Sequence, residues 1–328
     1  MTSIVPVIDL SPYFAGGPGK AAVAREVAAA CEEIGFLVIE GHGIAPQLVA
    51  DVFGAGRALF DLPLDQKNRL RPADGVAPRG YHALGTKYLA RTLGQDTPPD
   101  LREQFYIGPL NPDRARIRHL PGAEKFYEAN IWPETPAEFR ETTTRYYVEM
   151  ERLARDLMRI FALALDIDET YFDSRIDNHF ATLPLNHYPE PREAPLPGQL
   201  RAGAHSDFGS LTILALDDAP GGLQVRSRDG SWQDVTTAPG QFIVNLGDMM
   251  QRWTNDRWRS TLHRVVNPPL DAAQPTRRMS IGFFLHPNYD TIISSLPGRI
   301  APAIPAKYPP VLAGELMRAK MEARAAIG

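Results

Sequence analysis

The spacing of hydrophobic positions changes character near residue 180. Before that point the clearest runs are helical. Residues 20–34 are alanine-rich, with apolar positions three and four apart, which predicts a helix stopped by Gly35. Residues 36–39 (FLVI) read as a strand and Gly41-His42-Gly43 as a turn, and a second helix is expected over about 46–60, ending before Pro63. The strongest pattern covers 136–165. There Phe139, Thr143, Tyr146, Met150, Leu153, Leu157, Ile160 and Ala164 form one stripe, which is expected to pack as core. Residues 4–10 (IVPVIDL) alternate weakly, and Pro6 suits an edge strand. Residues 71–110 show neither period and are expected to be irregular.

After Phe180 the period shortens. Apolar or alternating runs at 181–188, 211–216, 222–226, 241–246, 262–266 and 279–285 are separated by turn-rich clusters at 189–198, 217–222, 228–231 and 267–276. Many short strands with frequent turns predict an antiparallel sandwich or barrel. Leu316–Ile327 reads as a terminal surface helix.

Composition narrows the functional classes. A net charge of −4 without a basic stripe argues against nucleic-acid binding. No run of about 18 apolar residues suggests a membrane span, and Met1–Leu10 lacks the layout of a signal peptide, so the expected compartment is the cytoplasm. The single cysteine, Cys31, excludes an intramolecular disulfide and a cysteine-based zinc cluster.

The candidate chemistry lies in the β-rich half. His205 and Asp207 are two apart, so on a strand both side chains point the same way. His263, in the strand-like Thr-Leu-His-Arg-Val-Val, offers a third ligand from far along the chain. Two imidazoles and a carboxylate on one face of an ion form the facial triad of non-haem Fe(II) oxygenases. The same donors can also bind zinc in a hydrolase. Arg278 and Ser280 again share a face, and a guanidinium beside a hydroxyl suits a carboxylate anchor. Arg277 then points the other way, as a surface charge. Asn186 and Tyr188 make a further pair able to contact carboxylate oxygens. Asn245 and Asp248 are candidates for orienting the ligands. The other histidines carry structural expectations: His42 and His286 as structural, His82, His119 and His179 at the surface or in loops, and His187 turned away from Asn186 and Tyr188.

Read in order, these segments resemble the isopenicillin N synthase-like branch of the 2-oxoglutarate/Fe(II)-dependent dioxygenases. The resemblance runs through residues 4–10 and through Glu33-Ile34-Gly35-Phe36 to Gly41-His42-Gly43-Ile44, where Gly41 stands in place of the usual Asn. It continues in Asp100-Leu101-Arg102-Glu103-Gln104-Phe105, then in HSDFGSLTIL (205–214), GGLQV (221–225) and DGSW (229–232). NLGDMMQRWTND (245–256), STLHRVVNP (260–268) and RRMSIGFFLHPN (277–288) complete it. It implies an α+β fold with a mainly β core, a double-stranded β-helix (jelly roll) flanked by helices. It implies His205, Asp207 and His263 as iron ligands, and Arg278 and Ser280 as the anchor for 2-oxoglutarate with Tyr188 and Asn186 assisting. It implies Fe(II), 2-oxoglutarate and O2 as reactants, with oxidation of a small organic substrate through a ferryl intermediate and release of succinate and CO2. Tyr81, Tyr88, Phe105, Leu214 and Phe284 are expected to line the substrate pocket. The chain divides by this reading into an N-terminal dioxygenase region (1–118), a helical segment backing the sheet (119–176), the jelly-roll core (177–290) and a C-terminal extension with a helix (291–328). Two alternatives remain open at this point: a 2-oxoglutarate-independent Fe(II) oxidase of the same family, and a non-catalytic jelly-roll binding protein.

Overall fold

A computed structural model describes residues 4–74, 77–191, 193–219, 222–269, 274–296 and 305–326. Gly221, Ile327 and parts of the turns at 189–198, 217–222 and 267–276 lie outside the described residues. The N-terminal third supplies β1 (Val7–Asp9), β2 (Phe36–Glu40), β3 (Gly80–His82) and β4 (Glu103–Ile107). The later half supplies β5 (Leu183–Tyr188), β6 (Ala202–His205), β7 (Leu211–Leu216) and β8 (Leu223–Arg226). It continues with β9 (Trp232–Asp234), β10 (Phe242–Leu246), β11 (His263–Val265) and β12 (Arg278–Leu285). A short pair, β13 (Ile292–Ile293) and β14 (Val311–Leu312), follows.

These strands form an eight-stranded sheet, ordered β1-β2-β10-β7-β12-β5-β4-β3, facing a four-stranded sheet ordered β6-β11-β8-β9. All pairings in both sheets are antiparallel except β1 with β2. The eight strands β5–β12 thus divide four and four between two facing sheets, as in a jelly roll. The N-terminal strands extend the larger sheet on both sides.

Strand alternation divides the interior into two cores. On β2, Leu37 and Ile39 join the layer under the helices, while Phe36 and Val38 point between the sheets. On β12, Met279, Ile281, Phe283 and Leu285 join the helical layer, which leaves Arg278, Ser280 and Phe284 on the other face. The helix Phe139–Ala164 covers the outer face of the large sheet. Its expected stripe is buried except for the partly exposed Ala164, with Tyr147 edge-on to Phe283 at 5.2 Å. Burying each such side chain contributes roughly 1.5–3 kcal/mol, so this layer sets the position of the strands that carry the polar inner face.

Helices Pro18–Glu33 and Pro46–Phe60 and the six expected strand runs occur close to their predicted positions. The segment 71–110 departs from expectation, because it contains β3 and β4. In β4 the buried Glu103 and Gln104 replace the apolar residues that alternation looks for. Strand β6 (Ala-Gly-Ala-His) is equally hidden in the sequence, since small residues carry little strand propensity. The terminal helix spans Ala313–Ala326 and is not purely superficial, because Ala313 and Met317 are buried. His82 is also buried, in β3, with Nε2 against the Ala77 carbonyl at 3.1 Å. His119 is exposed, and His179 pairs with Glu151 at 3.0 Å. Among the described residues no helix is long and apolar enough to cross a membrane.

Gly35 links the first long helix to β2 with φ +69°, and a Cβ there would lie 2.1 Å from the Arg259 carbonyl oxygen. Gly35→Ala is expected to lower unfolding free energy by about 2 kcal/mol or more, through left-handed strain plus overlap. Denaturant titration checks this, and a wild-type midpoint would contradict it.

Candidate active site

His205 ends β6 and His263 begins β11, and the two are direct cross-strand partners. Their rings lie 4.3 Å apart between centroids. Each Nδ1 faces a backbone carbonyl, Gly203 O at 2.8 Å and Thr261 O at 3.1 Å. A carbonyl only accepts, so both Nδ1 atoms carry a proton, and in the neutral ring Nε2 is then the atom with the lone pair. Asp207 lies just past β6, in the loop before β7 rather than on the strand itself. Its Oδ1 sits 3.8 Å from His205 Nε2 and 3.7 Å from His263 Nε2. Two donors about 2.1 Å from one ion can be at most about 4.2 Å apart, so these three atoms could hold a single metal ion.

Asp207 is itself fixed. Its Oδ2 accepts from Thr212 Oγ1 at 2.6 Å and from Asn245 Nδ2 at 2.7 Å. Thr212 stands on β7 and Asn245 on β10, both in the large sheet. The carboxylate therefore ties the large sheet to the histidines of the small one. Asn245 matches its expected ligand-orienting place. Asp248 lies further out: its backbone N–H donates to the Asp207 carbonyl at 2.8 Å, while its carboxylate pairs with Lys320 at 2.6 Å.

The expected carboxylate anchor forms on β12 and β5. Arg278 stands opposite Tyr188 and Ser280 opposite Asn186. Asn186 Nδ2 donates to Ser280 Oγ at 3.2 Å, and the Arg278 guanidinium lies 5.6 Å from the Tyr188 ring centroid. Arg278 is 1% exposed, yet its Nε and Nη2 have no hydrogen-bond partner. An unsatisfied buried cation is costly, and a carboxylate placed between the sheets would satisfy both nitrogens. The four residues line one cavity with His205, Asp207 and His263, and Leu214, Leu223, Val265 and Phe284 supply apolar wall. The donor set therefore fits an Fe(II) ion and a dicarboxylate together.

Arg277 differs from the surface charge expected of it. It is half-buried, pairs with Asp61 at 2.7 Å and donates from Nε to His187 Nε2 at 2.8 Å. His187 does turn away, stacking on Phe60 and contacting Glu103. His42 makes the expected structural contacts, with Nε2 2.8 Å from the Gly240 carbonyl and Nδ1 accepting from Ile44.

A second cavity adjoins the first, sharing Arg102, His205, Asp207 and Phe284 with it. Of the expected pocket residues, Leu214 and Phe284 line these cavities. Tyr81 and Phe105 do not. Tyr81 donates to Glu103 in the core and Phe105 packs edge-on to Phe139, because both project toward the helical layer. Tyr88 also lies off both cavities, stacked under Arg91. The outer walls come instead from Leu89, Arg102, Gln104, Phe208 and the terminal helix residues Met317 and Met321. His286 contributes too, stacked on Phe180 at 5.0 Å. Burial pushes its pKa down to about 3 against the pull of Asp207, so the ring is neutral. Alternation from Glu103 could have indicated that Arg102 and Gln104 face inward, whereas the terminal helix has no local signal for its partner.

Removing either partner of Asp207 Oδ2 is expected to weaken metal binding. Asn245→Ala and Thr212→Val should each cost about 10–100-fold in Fe(II) affinity, with the jelly roll intact by circular dichroism. Anaerobic metal titration checks this, and wild-type affinity in both variants would refute it.

Comparison with known proteins agrees with this geometry. Residues 5–135 match the family model described as the N-terminal region of non-haem dioxygenase in morphine synthesis, and residues 179–287 match that of the 2OG-Fe(II) oxygenase superfamily. The 2-oxoglutarate-Fe(II) type oxidoreductase hxnY of Emericella nidulans is 34% identical over 95% of this chain and 88% of its own. Validamycin A dioxygenase of Streptomyces hygroscopicus subsp. limoneus is 34% identical over 87% of this chain and 77% of its own. The crystal structure of a full-length Neurospora crassa protein in complex with alpha-KG and thymine superposes with a TM-score of 0.84 at 31% identity, covering 99% of this chain and 97% of that one.

Proposed function

This chain belongs to the 2-oxoglutarate/Fe(II)-dependent oxygenases, and from that membership we propose that His205, Asp207 and His263 hold its iron and that Arg278 and Ser280 anchor its 2-oxoglutarate. The enzyme is an oxidoreductase that uses Fe(II), 2-oxoglutarate and O2. The observation that carries the residue assignment is the buried Arg278 guanidinium, with two unsatisfied nitrogens, in the same cavity as three converging ligand atoms. A zinc hydrolase would have no use for that cation.

The bound iron and cosubstrate supply the oxidising power, consuming O2 and converting 2-oxoglutarate to succinate and CO2 as the substrate is oxidised. The chain's own residues do the positioning. The Nδ1 protons of His205 and His263 fix each ring's tautomer and orientation, presenting Nε2 to the ion. Thr212 and Asn245 hold Asp207 Oδ2 so that Oδ1 faces the same point. Arg278 takes the far carboxylate of 2-oxoglutarate, with Ser280 beside it and Tyr188 packed against the guanidinium. Asn186, held by Ser280 and Gln104, lines the same cavity. Leu214, Leu223, Val265 and Phe284 keep water away from the reacting centre. Hydroxylation of a small organic molecule is the reaction this arrangement favours. The thymine bound in the Neurospora crassa structure and the compound in the name of Validamycin A dioxygenase support a small-molecule substrate here.

Succinate release in the presence of Fe(II), O2 and 2-oxoglutarate tests the assignment. Asp207→Ala is expected to abolish it. Arg278→Gln is expected to raise the KM for 2-oxoglutarate by about 10–100-fold, from the loss of roughly 1.5–3 kcal/mol in charge-assisted hydrogen bonding. An unchanged KM in folded Arg278→Gln would refute the anchor role, and turnover in Asp207→Ala would refute the ligand set.

A further inference from the structure

A second largely buried guanidinium, Arg102, lines both the inner and the outer cavity. Arg102, Gln104 and Tyr106 line the outer cavity, whereas Phe105 and Ile107 join the helical core, as strand alternation requires. The Arg102 side chain is only 10% exposed, and its Nε has no hydrogen-bond partner. Its closest carboxylate, Asp100, stands 3.7 Å from Nη2, beyond hydrogen-bond reach. Asp100 is occupied elsewhere, accepting from the backbone N–H of Gly203 at 3.0 Å and of Leu89 at 3.3 Å. Arg102 Nη1 reaches Asn186 Oδ1 only at 3.5 Å, and that oxygen has a nearer donor in Gln104 Nε2 at 2.7 Å. The same contact orients Gln104 so that its Oε1 is a buried acceptor without a donor. The Arg102 guanidinium meets Asp100, Asn186 and Tyr188, but its Nε stays an unpartnered donor, two residues from an unpartnered acceptor on the same cavity wall.

We propose that the primary substrate is a small carboxylic acid whose carboxylate is held by Arg102 and which carries an N–H or O–H group for Gln104 Oε1. This deepens the proposed function, since it rests on the iron and 2-oxoglutarate assignments made above. Charge supports it. Fe(II), the Asp207 carboxylate, the Arg278 cation and the 2-oxoglutarate dianion sum to neutrality, with both histidines neutral. Apart from Asp207, the charged side chains that line the outer cavity are the cations Arg102 and Lys87, which favours an anionic substrate. The far carboxylate of 2-oxoglutarate is accounted for by Arg278, so Arg102 remains available to the substrate. The rest of that cavity is apolar, with Leu89, Phe208, Phe284 and Met317 among its walls, which fits an acid with a compact hydrocarbon body.

The test uses anaerobic protein loaded with Fe(II) and 2-oxoglutarate, with binding read by calorimetry and ligand-observed NMR. The probes are 4-hydroxybenzoate, N-acetylphenylalanine and 5-oxoproline, each against its primary amide. At least one acid is expected to bind ten-fold or more tightly than its amide, as a charge-assisted pair requires. Arg102→Gln should erase that preference while its affinity for 2-oxoglutarate stays within about two-fold of wild type, and Arg102→Lys should recover part of the preference. Retained 2-oxoglutarate binding also shows that the variants are folded. No preference for any acid, or a preference that survives Arg102→Gln, would overturn the proposal. So would loss of 2-oxoglutarate binding in Arg102→Gln as large as in Arg278→Gln, since Arg102 would then serve the cosubstrate. Unchanged 2-oxoglutarate affinity in Arg278→Gln, by contrast, would defeat the active-site assignment and leave the acid preference as a separate result.

Discussion

The bond that most of this site depends on is the one from Asn245 and Thr212 to Asp207 Oδ2. It fixes a loop carboxylate to two neighbouring strands of the large sheet, and so aims Oδ1 at histidines carried by the small sheet. Without it, Asp207 would be an exposed-loop acid adjacent to two imidazoles. With it, three candidate ligands from two distant parts of the chain converge at the seam between the sheets. The helix Phe139–Ala164 supports this arrangement from behind, because it packs on β7 and β12. Its buried stripe thereby links the hydrophobic pattern of a distant segment to the position of polar residues on the inner face.

Buried arginines divide by how well they are satisfied. Arg79 is as buried as Arg278, at 1% exposure each. Arg79, however, donates to the backbone carbonyls of Glu128, Pro78 and Phe126, and burial pushes its pKa down to about 10. It is an internal brace for the chain between β3 and the 3₁₀ turn Glu124–Tyr127. Arg278 and Arg102 instead keep nitrogens without partners, and each lines a cavity that meets the metal ligands. The protein itself offsets the cost of desolvating Arg79, whereas for Arg278 and Arg102 the proposed carboxylate ligands would do so.

Much of this is legible in the sequence wherever a period is clean. Alternation through Arg278-Met279-Ser280 and through Asn186-His187-Tyr188 separates inward from outward residues, and the cross-strand register pairs those same inward residues. The ligand set is legible for a related reason, because His205 and His263 sit in short strands with few other polar residues to compete. The pocket is less so. Tyr81 and Phe105 resemble pocket aromatics, but nothing local marks which face of an isolated three- or five-residue strand meets the cavity. Glu103 resolves it only in three dimensions, where Lys67, Tyr81 and His187 converge on its carboxylate behind the sheet. The terminal helix reads as superficial because its sequence shows no strong apolar stripe. Its buried face is narrow, and Met317 and Met321 meet the cavity through tertiary packing that no local pattern encodes. Lys320 fastens this helix to Asp248 and lies over Phe208, two contacts that join residues far apart in the chain.

By this reading, two facing sheets would place one metal ion and one dicarboxylate at fixed, separate points. A crystal structure of the anaerobic Fe(II)–2-oxoglutarate complex, with anomalous scattering recorded at the iron edge, tests it most directly. The predicted result is a single iron peak bonded to His205 Nε2, His263 Nε2 and Asp207 Oδ1, with the far carboxylate of 2-oxoglutarate hydrogen-bonded to Arg278 Nε and Nη2. Iron bound at any other cluster, or a 2-oxoglutarate whose far carboxylate avoids Arg278, would contradict the account.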